Sequence, residues 1–155
     1  MKKIIITGGC GFIGSNLVNY FIKKKIFVIN IDKLSYSSST YNLKDASKKK
    51  NYVFIKSDIG DRKKNLKILR KYKPSLIFNL AAETHVDRSI DGPKTFIQNN
   101  INAVFNLLET LRFYNKTSNK KIKLIHVSTD EVYGDITNKN LRASEKFQYQ
   151  PSSPY

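Results

Sequence analysis

The sequence predicts an α/β fold built on a doubly wound parallel sheet, and three observations carry this expectation. Short, β-branched apolar runs recur along the 155 residues, segments with helical apolar spacing separate them, and a glycine-rich turn joins the first run to the first helix. Strands that alternate with helices pair in parallel through right-handed crossovers. Strands covered on both faces read as near-continuous apolar runs, as these do.

In chain order, residues 3–7 form the first strand. Residues 12–23 form a helix with Phe12, Ile13, Leu17, Tyr20 and Phe21 at helical spacing. Residues 26–31 form the second strand. The segment 34–50 is less regular: Ser35, Ser37, Ser38, Ser39 and Thr40 make a polar loop before a weak helical stretch from Tyr41. Long polar loops at strand carboxyl ends border the ligand crevice of such sheets. The third strand is 52–56, and Leu66, Leu69 and Tyr72 mark a helix with Asp61 as its N-cap and Pro74 as its stop. A fourth strand spans 76–80. The longest helix runs from about Pro93 to Tyr114, with Ile97, Ile101, Val104, Phe105, Leu108 and Leu111 on one face. The fifth strand, 122–128, precedes a loop over 134–150. Pro151-Ser152-Ser153-Pro154-Tyr155 then reads as the start of a further helix. We therefore expect a sheet truncated after about five strands.

Composition excludes several classes. At 40% hydrophobic and 12% aromatic residues the chain is too apolar for intrinsic disorder. Its longest apolar stretches, such as Ile4-Ile5-Ile6 and Leu76-Ile77-Phe78, are far too short to cross a bilayer, and we expect no signal peptide, anchor or membrane partner. The single cysteine, Cys10, forms no intramolecular disulfide, which fits a cytoplasmic location. No metal site is expected. Lys and Arg number 28 against 12 Asp and Glu, a net charge of +16. That balance raises nucleic acid as a partner, yet 23 of the 28 are Lys, spread over the chain beside 18 Ile and 15 Asn. The runs at 23–25 and 48–50 stand where a helix or loop meets the next strand, which suits solvated lysines near helix carboxyl termini. Solvated surface is the expectation, with no nucleic-acid partner.

The turn Thr7-Gly8-Gly9-Cys10-Gly11-Phe12-Ile13-Gly14 follows the first strand and opens the first helix. Glycines there permit positive φ and let a pyrophosphate approach the N–H groups of the helix N-terminus. Asp32 ends the second strand, placed to accept both ribose hydroxyls of an adenosine. Its charge repels a 2′-phosphate, so NAD is expected over NADP, with Lys33 alongside offsetting part of that repulsion. Strand before, helix after and acid at the next strand's end together mark a dinucleotide-binding (Rossmann) turn rather than a bare tight turn capped by Asp32. Cys10 is read as a bland small residue inside that turn.

Two further clusters follow strands. In Leu80-Ala81-Ala82-Glu83-Thr84-His85 the alanines admit a flat nicotinamide-ribose, and Thr84 offers a hydroxyl to substrate. His85 is assigned no role. Asp58-Ile59 ends the third strand, either at an adenine edge or as a loop cap. In Ser128-Thr129-Asp130-Glu131-Val132-Tyr133-Gly134 two adjacent carboxylates are candidates for proton transfer in both directions, since neighbouring charges push their ionisations apart. The alternative is a polar turn capped by Asp130.

Together these motifs, with Asp32-Lys33-Leu34-Ser35-Tyr36 and Val86-Asp87-Arg88-Ser89-Ile90, resemble the extended short-chain dehydrogenase/reductase family and, within it, its dTDP-glucose 4,6-dehydratase branch. The resemblance covers effectively the whole chain. It implies NAD as cofactor, a nucleotide-sugar substrate, and dehydration of dTDP-glucose to its 4-keto-6-deoxy sugar. It implies cofactor contacts at Gly8, Gly11, Phe12, Ile13, Gly14, Asp32, Lys33, Leu34, Ser35, Asp58, Ile59, Leu80, Ala81, Ala82 and Asn99. Thr84 and Thr129 stand at substrate-binding positions. Glu131 would remove the C5 proton, Asp130 would protonate the departing C6 hydroxyl, and Tyr155 would take the C4 hydroxyl proton. The family's lysine four residues after that tyrosine, and its C-terminal substrate domain, fall beyond Tyr155. Residues 1–155 are thus expected to be an incomplete NAD-binding domain, inactive alone. The family's homodimer uses two helices, of which only 93–114 lies in this chain. Alternatives are a related dehydratase acting on UDP-glucose, or a non-catalytic dinucleotide-binding module.

Overall fold

The computed structural model describes residues 1–137 and 141–155; residues 138–140, within the expected loop 134–150, lie outside the described residues. Five parallel strands, β1 (Lys3–Thr7), β2 (Phe27–Asp32), β3 (Tyr52–Lys56), β4 (Leu76–Asn79) and β5 (Lys123–His126), lie in the order β3-β2-β1-β4-β5. The expected strands at 26–31, 76–80 and 122–128 are each re-bounded, the last losing most, although the Val127 N–H still donates to the Asn79 carbonyl at 3.0 Å. Among the described residues five α-helices accompany them: α1 (Phe12–Lys23), α2 (Arg62–Tyr72), α3 (Val86–Asp91), α4 (Pro93–Phe96) and α5 (Ala103–Thr117).

The strand sequences sort their own faces. Successive side chains point to opposite sides of a sheet, so Ile4, Ile6 and Val28 pack with Val18 and Ile22 of α1. Ile5, Ile29, Ile31 and Ile77 pack instead with Ile68 and Leu69 of α2 and Leu107, Leu111 and Tyr114 of α5. Helices therefore cover both faces of the sheet centre. Strand β5 departs from the continuous-burial expectation: Lys123, Ile125 and His126 are exposed and only Leu124 is half-buried.

Helix boundaries follow local chemistry. Asp61 accepts the Lys64 N–H at 2.9 Å and caps α2 as expected, and Lys73 in the left-handed region (φ 48°) ends it before Pro74. The weak helical stretch from Tyr41 resolves into two 3-10 turns, Thr40–Leu43 and Ala46–Lys48. The single long helix expected from Pro93 is interrupted. Between α4 and α5, residues Ile97–Asn102 form a π-helical segment, in which the wider turn shifts the register of the side chains. The face expected to hold Ile97, Ile101, Val104, Phe105, Leu108 and Leu111 is also divided, even within α5. Leu111 is buried, whereas Ile97, Ile101, Phe105 and Leu108 are 41–59% exposed. Periodicity reports amphipathicity, and it does not say which of two apolar stripes meets the sheet.

Leu111 is 5% exposed and belongs to the α2/α5 core. Leu111→Ala is expected to lower unfolding free energy by about 2–5 kcal/mol, the range for buried leucines, measured by urea titration. A loss below about 1 kcal/mol would mean that this layer does not hold α5 to the sheet.

Candidate functional site

The carboxyl ends of β1, β2, β3 and β4 surround a cleft of about 280 Å³. Its floor is the glycine turn. Gly8 has φ +66° and passes so close to β4 that a Cβ would lie 2.8 Å from the Ala81 nitrogen. Gly14 seats α1 on the turn, where a Cβ would meet the Gly8 carbonyl oxygen. Gly11 precedes α1 with extended backbone and no side-chain cap, and no acidic residue stands in the helix's first turn. The N-terminal end of α1 therefore presents partial positive charge to the cleft with no side chain neutralising it.

Asp32 faces it from β2. Only 6% exposed, its carboxylate accepts the Cys10 N–H at Oδ2 (2.9 Å) and the Leu34 N–H at Oδ1 (2.8 Å). Each oxygen keeps a lone pair for a further donor, and the two bonds fix its direction. Gly8, Gly11, Phe12, Ile13, Gly14, Asp32, Lys33, Ser35, Asp58, Ile59, Leu80, Ala81, Ala82, Thr84 and Asn99 all line this cleft. Asp58 lines the cleft and also caps its loop, its Oδ1 accepting the Gly60 N–H at 2.6 Å. Leu34 does not line the cleft: with φ +64°, its side chain packs among the α1-side core. Phe12 and Ile13, placed at helical spacing with the apolar residues of α1, are 83% and 63% exposed at the cleft instead.

Thr129, Asp130, Glu131 and Tyr155 do not line the cleft. Asp130 and Glu131 open a 3-10 turn, Asp130–Tyr133, whose N-cap is Thr129: its Oγ1 accepts the Glu131 N–H at 3.2 Å. Glu131 is half-buried and Asp130 exposed. Tyr155 is half-buried with its ring edge-on to Phe96, centroids 6.3 Å apart. The final segment returns toward this turn, with the Gln150 N–H donating to the Val132 carbonyl at 2.9 Å.

Two polar groupings were not foreseen. Along the strand ends, Thr7 Oγ1 donates to Asn79 Oδ1 (2.5 Å) and accepts the Ala81 N–H (3.2 Å), while Asn79 Nδ2 lies 2.9 Å from His126 Nδ1. Asn79 donates there, so His126 carries its proton on Nε2 when neutral. The available signal was the polar residue that closes each of these strands in an otherwise apolar run. At the cleft mouth, Glu83 is 5% exposed and lies 3.2 Å from Lys33 Nζ, which also donates to Asn99 Oδ1 at 2.7 Å. Asn100 brackets Glu83, accepting its N–H at 2.8 Å and donating to its carbonyl at 2.9 Å. Asn99 also donates to Glu83 Oε1 at 3.3 Å, and both asparagines lie on the π-helical segment. Nothing in the periodicity signalled that segment.

The model of the GDP-mannose 4,6 dehydratase family matches residues 5–155. The chain belongs to that family. Among curated members, a probable dTDP-glucose 4,6-dehydratase of Sinorhizobium fredii is 44% identical over 157 residues, covering 99% of this chain and 45% of its own length. The dTDP-glucose 4,6-dehydratase of Haemophilus influenzae is 44% identical over 160 residues, covering 100% and 47%. The crystal structure of dTDP-glucose 4,6-dehydratase from Bacillus anthracis in complex with NAD superposes with a TM-score of 0.86 at 36% identity, covering 100% of this chain and 46% of that one. The chain thus spans slightly under half the length of the 4,6-dehydratases it matches. The expected fold class stands, and among the described residues no helix is long and apolar enough to cross a membrane.

Burial pushes the Cys10 thiol up from 9.0 to about 11 and the Tyr52 hydroxyl from 10.0 to about 12. Both are acids whose neutral forms the folded state favours, so their contribution is whole below pH 9. It is lost as pH rises through 9 to 11 for Cys10, and through 10 to 12 for Tyr52, because the unfolded chain releases the proton first. We expect the urea midpoint to fall between pH 9 and 11, and Cys10→Ala to flatten that fall. Iodoacetamide at pH 8 should label Cys10 only after denaturation; rapid labelling of the folded chain would contradict its burial.

Proposed function

We propose that this chain is the NAD-binding part of a dTDP-glucose 4,6-dehydratase, and that residues 1–155 form an incomplete Rossmann domain of a longer enzyme whose substrate domain lies outside them. One observation carries the cofactor reading: the uncapped N-terminal end of α1 and the anchored Asp32 carboxylate line the same cleft. A dinucleotide needs this pairing, an anion site for its pyrophosphate and an acceptor for its adenosine ribose. The close approach of Gly8 to Ala81 leaves backbone where a Cβ would intrude. When bound, NAD would supply a hydride acceptor and donor. Gly11, Phe12, Ile13 and Gly14 would hold the pyrophosphate, Asp32 the ribose, Asp58 and Ile59 the adenine, and Leu80, Ala81, Ala82 and Asn99 the nicotinamide side. Lys33 and Ser35 would border the cofactor as lining residues of the cleft, and Leu34 contributes through its N–H to Asp32.

For the chemistry, Glu131 serves as the base at C5 and Asp130 as the acid at the C6 hydroxyl, with Tyr155 receiving the proton of the C4 hydroxyl. Thr84 and Thr129 hold the sugar. The two carboxylates sit side by side at the start of the 3-10 turn, Asp130 exposed and Glu131 half-buried. A ketone at C4 acidifies the C5 proton, so a carboxylate suffices as base. The stripe Ile97, Ile101, Phe105 and Leu108 supports a homodimer of the complete enzyme. A cytoplasmic setting and the absence of a nucleic-acid partner belong to the same reading, the exposed lysine runs at 23–25 and 48–50 being solvated surface.

Calorimetry tests the cofactor half: the chain is expected to bind NAD, and failure to bind it would overturn the reading. In a full-length protein carrying these residues, Glu131→Gln is expected to lower turnover of dTDP-glucose by at least about 100-fold and to abolish deuterium uptake at C5 from heavy water. Unchanged exchange would remove Glu131 from its role. UDP-glucose turned over in place of dTDP-glucose would reassign the substrate without disturbing the chemistry.

A further inference from the structure

Lys33 stands one residue beyond Asp32 and lines the same cleft. A free cation beside the adenosine ribose attracts a 2′-phosphate and cancels the discrimination that an acidic residue at the strand end provides. The Lys33 ammonium is not free. It lies 3.2 Å from Glu83 Oε1 and donates to Asn99 Oδ1 at 2.7 Å. Glu83 is 5% exposed and held from several sides: Asn100 brackets its backbone, and Asn99 Nδ2 donates to Oε1 at 3.3 Å. Asn99 thus touches both members of the ion pair. A charge-assisted bond between a fixed, buried carboxylate and a partly exposed lysine is stronger than a surface pair, so the lysine is kept toward β4.

We propose that Glu83 is a positioning residue for cofactor choice: by drawing the Lys33 ammonium against Asn99, it withdraws the cation from the ribose end of the cleft and excludes 2′-phosphorylated dinucleotides. The inference rests on the dinucleotide reading of the cleft. Asp32 repels the phosphate directly, and Glu83 removes the group that would offset the repulsion. A mere brace between the loops after β2 and β4 would affect NADH and NADPH alike, so their ratio separates the two roles.

The test measures NADH and NADPH affinity for the chain by nucleotide fluorescence, with circular dichroism as the check on folding. Wild type is expected to prefer NADH. Glu83→Gln, which keeps size and hydrogen bonding but not charge, is expected to shift the ratio toward NADPH by about tenfold, the scale of one released charge-assisted contact. Lys33→Met combined with Glu83→Gln should return the ratio to near the wild-type value. Should Glu83→Gln fail to fold, Glu83→Asp keeps the charge, pulls it back by one methylene and should move the ratio in the same direction by roughly threefold. An unchanged ratio in a folded Glu83 variant, or a gain that persists without Lys33, overturns the role of Glu83 while leaving the cofactor reading intact. A wild-type chain that binds neither dinucleotide overturns both.

Discussion

The pairing of β1 with β4 is the contact on which the rest of the structure depends. Strand β1 has β2 on one side, reached through α1 on one face, and β4 on the other, reached after α2 on the opposite face. The connections leaving β1 and β4 therefore diverge, and a crevice opens between the strand ends. The divergence starts from a tight origin: Thr7 is bonded to Asn79, and the Gly8 backbone lies against Ala81. A side chain at Gly8 would separate the two strands where their ends must touch. The N-terminus of α1, Asp32 and the Glu83 carbonyl region are arranged around that one junction.

Order in the cleft is established by backbone donors. Asp32 is held by N–H groups on either side of it in space, one from the glycine turn and one from the loop after β2, so the turn and the second strand share a single carboxylate as their link. A site fixed in this way loses little conformational freedom when a ligand arrives. The same link explains why Leu34 adopts positive φ: its N–H must reach back to Asp32 while its side chain enters the core.

Much of this was legible in the sequence. Apolar runs located all five strands, and the alternation within Ile4-Ile5-Ile6 becomes the two core layers. The glycine turn with Asp32 located the cleft, because backbone crowding and acid placement are written in residue type and spacing. What stayed hidden depends on three-dimensional partners. The apolar stripe Ile97, Ile101, Phe105 and Leu108 and the buried Leu107 and Leu111 have the same helical spacing, and only contact with the sheet separates them. Glu83 reads as one more polar loop residue until Lys33, 50 positions away in the chain, is seen against it. The placement of Asp130, Glu131 and Tyr155 in one active centre rests on resemblance, because their described contacts tie them to Thr129 and Phe96 rather than to the cleft.

The π-helical segment has a consequence for how this molecule tolerates change. Its wide turn separates two structural duties along one continuous helical rod: residues before Ala103 answer to the loops around the cleft, and residues after it answer to the sheet. An inserted or deleted residue in a regular helix rotates everything beyond it by about 100°. Removing one residue from Ile97–Asn102 would therefore force a choice between keeping Asn99 and Asn100 on Glu83 and keeping Leu107 and Leu111 in the core. The segment is a phase adjuster, and a helix grafted here from another protein has to bring the same extra residue with it.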